Sequence, residues 1–283
     1  MPRQVAVIFD LDGTLVDSRQ VSMSATVTTL REHGFGNERI DESSYNYGAR
    51  FITPRRLAWQ ATGMEDDPCG PTLANTYEKL ISHSISPDNT PMYDGVSQLI
   101  HYLTSQEGVI LGVLSNASSN YTRSVIKGHK WRDVMSVYRG ADDVPAAKPS
   151  PAGLNALLSE LDISSSNSVY IGDSPTDGAA ASNANMHGIG VTWGNNSLTS
   201  LEPHFNEVVS SMATLQSSID RFIQQCRRQD DPQQDQVLSK EDEKEEKDEK
   251  ESSPRRRVSW QADVIDNEHM NKLRTDDEYW DGR

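Results

Sequence analysis

The first residues with evident chemistry are two carboxylates one residue apart. Residues 9–18 read Phe-Asp-Leu-Asp-Gly-Thr-Leu-Val-Asp-Ser, directly after the apolar run Val5-Ala6-Val7-Ile8. Side chains alternate along a strand, so Asp10 and Asp12 share one side of the chain at the carboxyl end of a buried strand. Acids this close repel each other unless a metal ion or a phosphoryl group organises them. Three further sets follow in order. They are Ser115-Asn116 after the apolar run 109–114, Lys148-Pro149, and Gly172-Asp173-Ser174-Pro175-Thr176-Asp177 after the run 168–171.

A phosphate monoester explains all four sets. A carboxylate can attack phosphorus and split hydrolysis into two easier steps through an aspartyl-phosphate. Asp10 is the expected nucleophile. Asp12 is within reach to protonate the leaving alkoxide and later to deprotonate water. Lys148 and the Ser115 hydroxyl are expected to steady charge on the phosphoryl oxygens. Gly13, Thr14 and Asn116 are expected to bind the same group. A hard divalent cation, Mg²⁺, would neutralise the crowded acids. Its expected ligands are Asp10, Asp12 through its backbone carbonyl, and Asp173. Asp177 is expected to support that shell or to orient Lys148.

The elements that must position these groups read as alternating strands and helices. Strands are predicted at 134–138, 168–171, 188–192 and 207–209, besides the first strand and 109–114. Helices are predicted near 95–107, 118–128, 151–161 and 175–186. Such a pattern predicts a parallel sheet covered on both faces, with ligands beyond the carboxyl ends of its strands. Between Ser18 and Pro87 no strand pattern occurs. Val21, Ala25, Val27 and Leu30 suit one helix face, a stop follows at Gly34-Phe35-Gly36, and helices are predicted over about 54–62 and 70–86.

Composition sets the remaining bounds. The 283 residues carry a formal charge of −15. From Arg227 onward 12 Lys and Arg face 18 Asp and Glu, and the first 226 residues carry 15 against 24. Neither part has the basic surface a nucleic-acid binder needs. No apolar run approaches a membrane span, and with a strand expected from about residue 4 no secretory signal is expected. Cys69 and Cys226 imply no disulfide framework, which suits a reducing compartment, the cytoplasm or nucleus. Residues 229–253 are nearly free of apolar side chains, and Lys240–Glu251 holds only Lys, Glu and Asp. Such a segment is expected to be a disordered or transiently helical linker.

The four motifs resemble those of the haloacid dehalogenase superfamily of phosphohydrolases, and most of all its phosphoglycolate phosphatase-like subgroup. Val16-Asp17-Ser18, Tyr170-Ile171-Gly172-Asp173-Ser174-Pro175 and Gly190-Val191-Thr192-Trp193-Gly194 carry the subgroup resemblance. Asp12 separates the chain from the dehalogenase branch, and Gly13 from phosphonate-cleaving relatives. The resemblance implies an α/β fold. Its Rossmann-like parallel core would span 1–17 and 89–226, with an all-helical cap inserted at 18–88. It also implies that the cap closes over substrate, which makes Arg50, Arg55 and Arg56 candidates for contacting it, with Arg50 put forward. Trp193 is expected to pack rather than bind.

The tail carries a second signal, in a charged linker at 227–253 and a docking-like segment at 254–283. Arg256-Arg257-Val258-Ser259 has the basic lead-in that basophilic kinases prefer. Arg257, Val258 and Trp260 have the form of a short strand that docks on the protein phosphatase 1 catalytic subunit, with alternate side chains filling apolar pockets. The following Asp266-Asn267-Glu268-His269 is similar to the inhibitor-three family of protein phosphatase 1 inhibitors. Those proteins continue into a cysteine cluster, whereas this chain reads Thr275-Asp276-Asp277-Glu278-Tyr279-Trp280, so docking is better supported than inhibition. The leading expectation is a Mg²⁺-dependent phosphatase for a small phosphorylated metabolite, with a protein phosphatase 1 docking tail. The alternatives are a protein phosphatase 1 regulator using the hydrolase domain as a scaffold, and a pyrophosphatase or sugar-phosphate phosphatase.

Overall fold

The computed structural model describes residues 3–40 and 53–228. The chain divides into two units, Met1–Pro232 and Gln233–Arg283, and the described residues lie in the first.

Strand β1 (Val5–Phe9) is wholly buried, as its run of β-branched and aromatic residues suits. It lies at the centre of a six-stranded sheet ordered β3-β2-β1-β4-β5-β6, in which every pairing is parallel. The other strands are β2 (Val109–Leu114), β3 (Met135–Arg139), β4 (Ser168–Gly172), β5 (His187–Val191) and β6 (Glu207–Val209). The period of two divides β1 between two cores. Val5, Val7 and Phe9 join Leu111, Val113, Val169 and Ile171 on one face, while Ala6 and Ile8 join Leu114 and Tyr170 on the other. Helices α4 (Val96–Thr104), α5 (Ser119–Gly128), α6 (Ala152–Leu161), α7 (Pro175–Asn183) and the short α8 (Leu198–Leu201) fall between the strands.

Three helices stand between β1 and α4: α1 (Arg19–Glu32), α2 (Pro54–Thr62) and α3 (Gly70–Ser84). Local chemistry sets their ends. Thr53 caps α2 by accepting from Arg56 N at 3.2 Å, Pro54 occupies its first turn, and Gly63 closes it at φ +84°. The buried face of α1 is Val21, Ser22, Ala25, Thr26, Thr29 and Leu30. Val27, expected on that face, is only half-buried, because the stripe follows the 21/25/29 and 22/26/30 rows. Its small polar members serve hydrogen bonds, such as Ser22 Oγ to the Tyr77 hydroxyl at 2.9 Å.

Two chain segments join these helices to the sheet, and they pair with each other. Asp17 N donates to Pro91 O at 2.9 Å and Tyr93 N to Leu15 O at 3.1 Å. The chain ends its described part in α9 (Met212–Arg228), for which the sequence reading made no prediction. Leu215, Ile219, Ile223 and Cys226 are its buried stripe, at helical spacing. The helix runs two residues into the segment expected as linker. The rest of that linker and the docking-like tail lie outside the described residues. Among the described residues, no helix is long and apolar enough to cross a membrane.

Candidate active site

The parallel register brings the sequence motifs to one edge. Phe9 stands level with Val113 of β2 and with Ile171 of β4. The chain therefore releases Asp10, Ser115 and Asp173 side by side, where the strand order reverses around β1. Asp10 and Asp173 are fully buried, as are Ser115 and Asp177; Asp12 and Thr14 are buried nearly as deeply.

Lys148 is the cation of this cluster. Its Nζ lies 2.8 Å from Asp10 Oδ1 and 2.6 Å from Asp177 Oδ1. It also donates toward the Tyr170 hydroxyl at 2.8 Å and Leu114 O at 3.1 Å. Asn116 holds the lysine's backbone at both ends: its Oδ1 accepts from Lys148 N and its Nδ2 donates to Lys148 O, each at 2.9 Å. Asn116, expected to bind substrate, thus has its amide directed at the chain that carries Lys148. Ser115 Oγ accepts from Ala117 N at 3.0 Å.

Asp177 belongs to the first turn of α7. Its Oδ2 accepts from Ser174 N at 3.0 Å and from the Ser174 hydroxyl, a reciprocal cap of that helix. Its other oxygen faces Lys148. Asp173 is held by the loop after β5: Asn195 N donates to Asp173 Oδ2 at 3.1 Å, and Asn196 Nδ2 donates to its carbonyl at 2.9 Å. The same loop reaches the first motif, because Trp193 Nε1 donates to Thr14 O at 3.0 Å. Trp193 packs against the core and also ties the loop after β5 to the loop after β1. Thr14 Oγ1 is buried without a partner among the described residues. Gly13 has φ +85°, and a Cβ there would lie 2.3 Å from Asp173 Oδ2. Only glycine admits both the turn and the neighbouring carboxylate.

Asp12 is bound by a residue of α5. Its Oδ1 accepts from the Tyr121 hydroxyl at 2.6 Å, deep in the structure. Burial and the Asp12 carboxylate hold the Tyr121 phenol well above its ordinary range, so it is the donor. The Tyr93 hydroxyl is pushed up in the same way by burial first, then by the charges of Asp17, Asp173 and Asp12.

A divalent cation fits the donor set. Asp10, Asp173 and Asp177 each offer a carboxylate oxygen, and these atoms lie within 4.8 Å of one another in a fully buried cluster. Three buried carboxylates there meet one buried ammonium, Lys148. Excess charge of that kind is costly away from water, and oxygen donors suit a hard cation.

Of the residues expected at the site, the structure brings together Asp10, Asp12, Gly13, Thr14, Ser115, Asn116, Lys148, Asp173 and Asp177. Arg50 lies outside the described residues, and Arg257, Val258 and Trp260 do so too. Arg55 is exposed and paired with Glu65 at 2.7 Å. Sequence reasoning missed Tyr121 and the hydroxyl of Tyr170. Tyr170 was visible only as part of a motif, and Tyr121 had no local signal beyond its place in a helix.

A family model described as haloacid dehalogenase-like hydrolase matches residues 7–191, a span that holds every residue of this cluster. The chain belongs to the haloacid dehalogenase-like hydrolase family. It is 31% identical over 199 residues to a phosphoglycolate phosphatase of Rhodospirillum rubrum, covering 69% of this chain and 81% of that protein. It is 30% identical to one from Yersinia pestis, over 67% of this chain and 82% of that protein. Among solved structures, the fold is similar to a predicted phosphoglycolate phosphatase from Haemophilus somnus. That match has a TM-score of 0.67 at 19% identity, over 77% of this chain and 99% of the other. CbbY from Rhodobacter sphaeroides, solved with phosphate, is similar at TM-score 0.62 and 20% identity, over 76% and 96%. A second family model, described as protein phosphatase inhibitor, matches residues 232–276.

Proposed function

We propose that this hydrolase cleaves a small phosphate monoester through a phosphorylated Asp10, with a phosphoglycolate-like ester as the first substrate class to test. The observation that carries the reading is the pair Asp10 and Asp12 at the end of β1, with Lys148 held 2.8 Å from Asp10 and Asp173 and Asp177 beside it. The similarity to phosphoglycolate phosphatases supports the substrate class.

The residue roles follow from that geometry. Asp10 attacks phosphorus, the bond to the leaving oxygen breaks, and Asp12 gives that oxygen a proton. Water then attacks the phosphoryl group on Asp10 and gives its proton to Asp12. Inorganic phosphate leaves, and both carboxyl groups return to their starting states. Lys148 holds Asp10 in place and offsets its charge. The Ser115 and Thr14 hydroxyls face the phosphoryl group as donors. Asp10, Asp173 and the Asp12 carbonyl would hold Mg²⁺, with Asp177 supporting them, and the ion would supply positive charge to phosphoryl oxygens. The helices of residues 18–88 act as a cap that excludes water from the core built by 1–17 and 89–226.

The tail carries a separate reading. The inhibitor-family match over 232–276 supports docking of Arg257, Val258 and Trp260 on the protein phosphatase 1 catalytic subunit. Two experiments test these readings. A panel of phosphate esters with Mg²⁺ is run on the wild type beside Asp10→Asn; equal rates in both sink the enzyme. A pull-down of protein phosphatase 1 is run with Val258→Ala and Trp260→Ala; undiminished capture sinks the docking segment.

A further inference from the structure

The Tyr121 hydroxyl stands between the end of β1 and the start of the inserted helices. It donates to Asp12 Oδ1 at 2.6 Å. Ser18 stands beside the same phenol and acts on it as a hydrogen-bond donor does. Ser18 sits at the N-terminus of α1 yet makes no side-chain cap bond there, so its hydroxyl serves the tyrosine rather than the helix. Close by, Ser22 of α1 and Tyr77 of α3 join hydroxyls at 2.9 Å. Asp12, Ser18, Ser22, Tyr77 and Tyr121 are all at most 4% exposed.

The backbone of Tyr121 is tied to the inserted helices as well. Its N–H donates to Ser118 Oγ at 3.2 Å, and the Ser118 hydroxyl donates to Glu78 of α3. A carboxylate on a short side chain turns easily about its last bond. A phenol bond to it in a dry setting is short and strong, and removes that freedom.

We propose that Tyr121 is a positioning residue for Asp12: it fixes the carboxylate so that proton transfer to the leaving group runs through Oδ2, and through Ser18 and Ser118 it makes that orientation depend on the placement of α1 and α3. This rests on the reading of Asp12 as the acid/base group. A misplaced acid hurts only leaving groups that need a proton. An alkoxide needs one, whereas nitrophenolate departs without it.

The test compares the full chain, Tyr121→Phe, Ser18→Ala and Asp10→Asn, with Mg²⁺ present. The two substrates are p-nitrophenyl phosphate and the alkyl phosphate that the wild type turns over fastest. For Tyr121→Phe, kcat on the alkyl ester is expected to fall by about tenfold or more beyond any fall on the nitrophenyl ester, as a partial loss of acid catalysis. Ser18→Ala is expected to shift the same ratio in the same direction by less, and it decides the matter should Tyr121→Phe not fold. A wild-type ratio in both variants, or equal losses on both esters, overturns the inference while an inactive Asp10→Asn leaves the proposed function standing. Asp10→Asn as active as the wild type overturns both.

Discussion

Replacing Lys148 by methionine keeps the length of the side chain and removes its charge. The ammonium is buried against Asp10 at 2.8 Å and Asp177 at 2.6 Å, and it also meets two neutral oxygens. Breaking a buried pair by deleting one partner leaves carboxylates without their counter-charge, at a cost of about 3–5 kcal/mol. A domain of this size loses about 2–4 °C of melting temperature per kcal/mol, so Tm should fall by about 6–20 °C. The double variant Lys148→Met, Asp177→Asn removes one stranded charge, so it should melt above Lys148→Met alone. Turnover should be lost in both, because Asp10 loses the group that holds it. Thermal melts followed by circular dichroism, without added metal, measure the shifts. A drop under about 2 °C for Lys148→Met, or a double variant that melts lower still, would refute the account of a charge-compensated core.

Other predictions concern separate parts of the chain. Gly13→Ala should abolish turnover while the protein stays folded, since its Cβ would lie 2.3 Å from Asp173 Oδ2 and the backbone there has φ +85°; kinetics beside a melt would show it. Burial pulls the His129 imidazole below its ordinary 6.5, and its Nε2 donates to Thr90 O at 2.8 Å. The charged ring is thus disfavoured in the folded state, so its contribution is full above the unfolded value and is lost as pH falls below it. The Tm difference between about pH 7.5 and about pH 5.5 should accordingly shrink in His129→Gln, and an unchanged difference would count against this. A peptide over 254–272 phosphorylated on Ser259 should bind protein phosphatase 1 more weakly than the plain peptide, because about −2 charge would sit between Val258 and Trp260. Equal affinities by calorimetry would exclude that effect.

Much of the fold was legible because its signals are local. The apolar run 5–9 is a strand because β-branched and aromatic residues fill it, and the aspartates after it could only fall at its carboxyl end. The strand at 109–114 and the helix at 54–62 have the predicted bounds. The stripe Leu215, Ile219, Ile223 is an equally local signal for α9, set directly before the charged segment. On α1, apolar type alone misplaces Val27, because small polar residues fill the buried face.

The sequence alone determined which acidic and basic groups emerge together and at which edge of a parallel sheet, since strand periodicity and strand ends are properties of neighbours along the chain. The tertiary structure alone decided their partners. Tyr121 meets Asp12 across 109 residues, Trp193 meets Thr14 across 179, and the Asn116 amide turns to Lys148 across 32. Such pairings depend on how helices seat against the sheet, and hydrogen bonds between distant residues leave no periodic trace in a single chain.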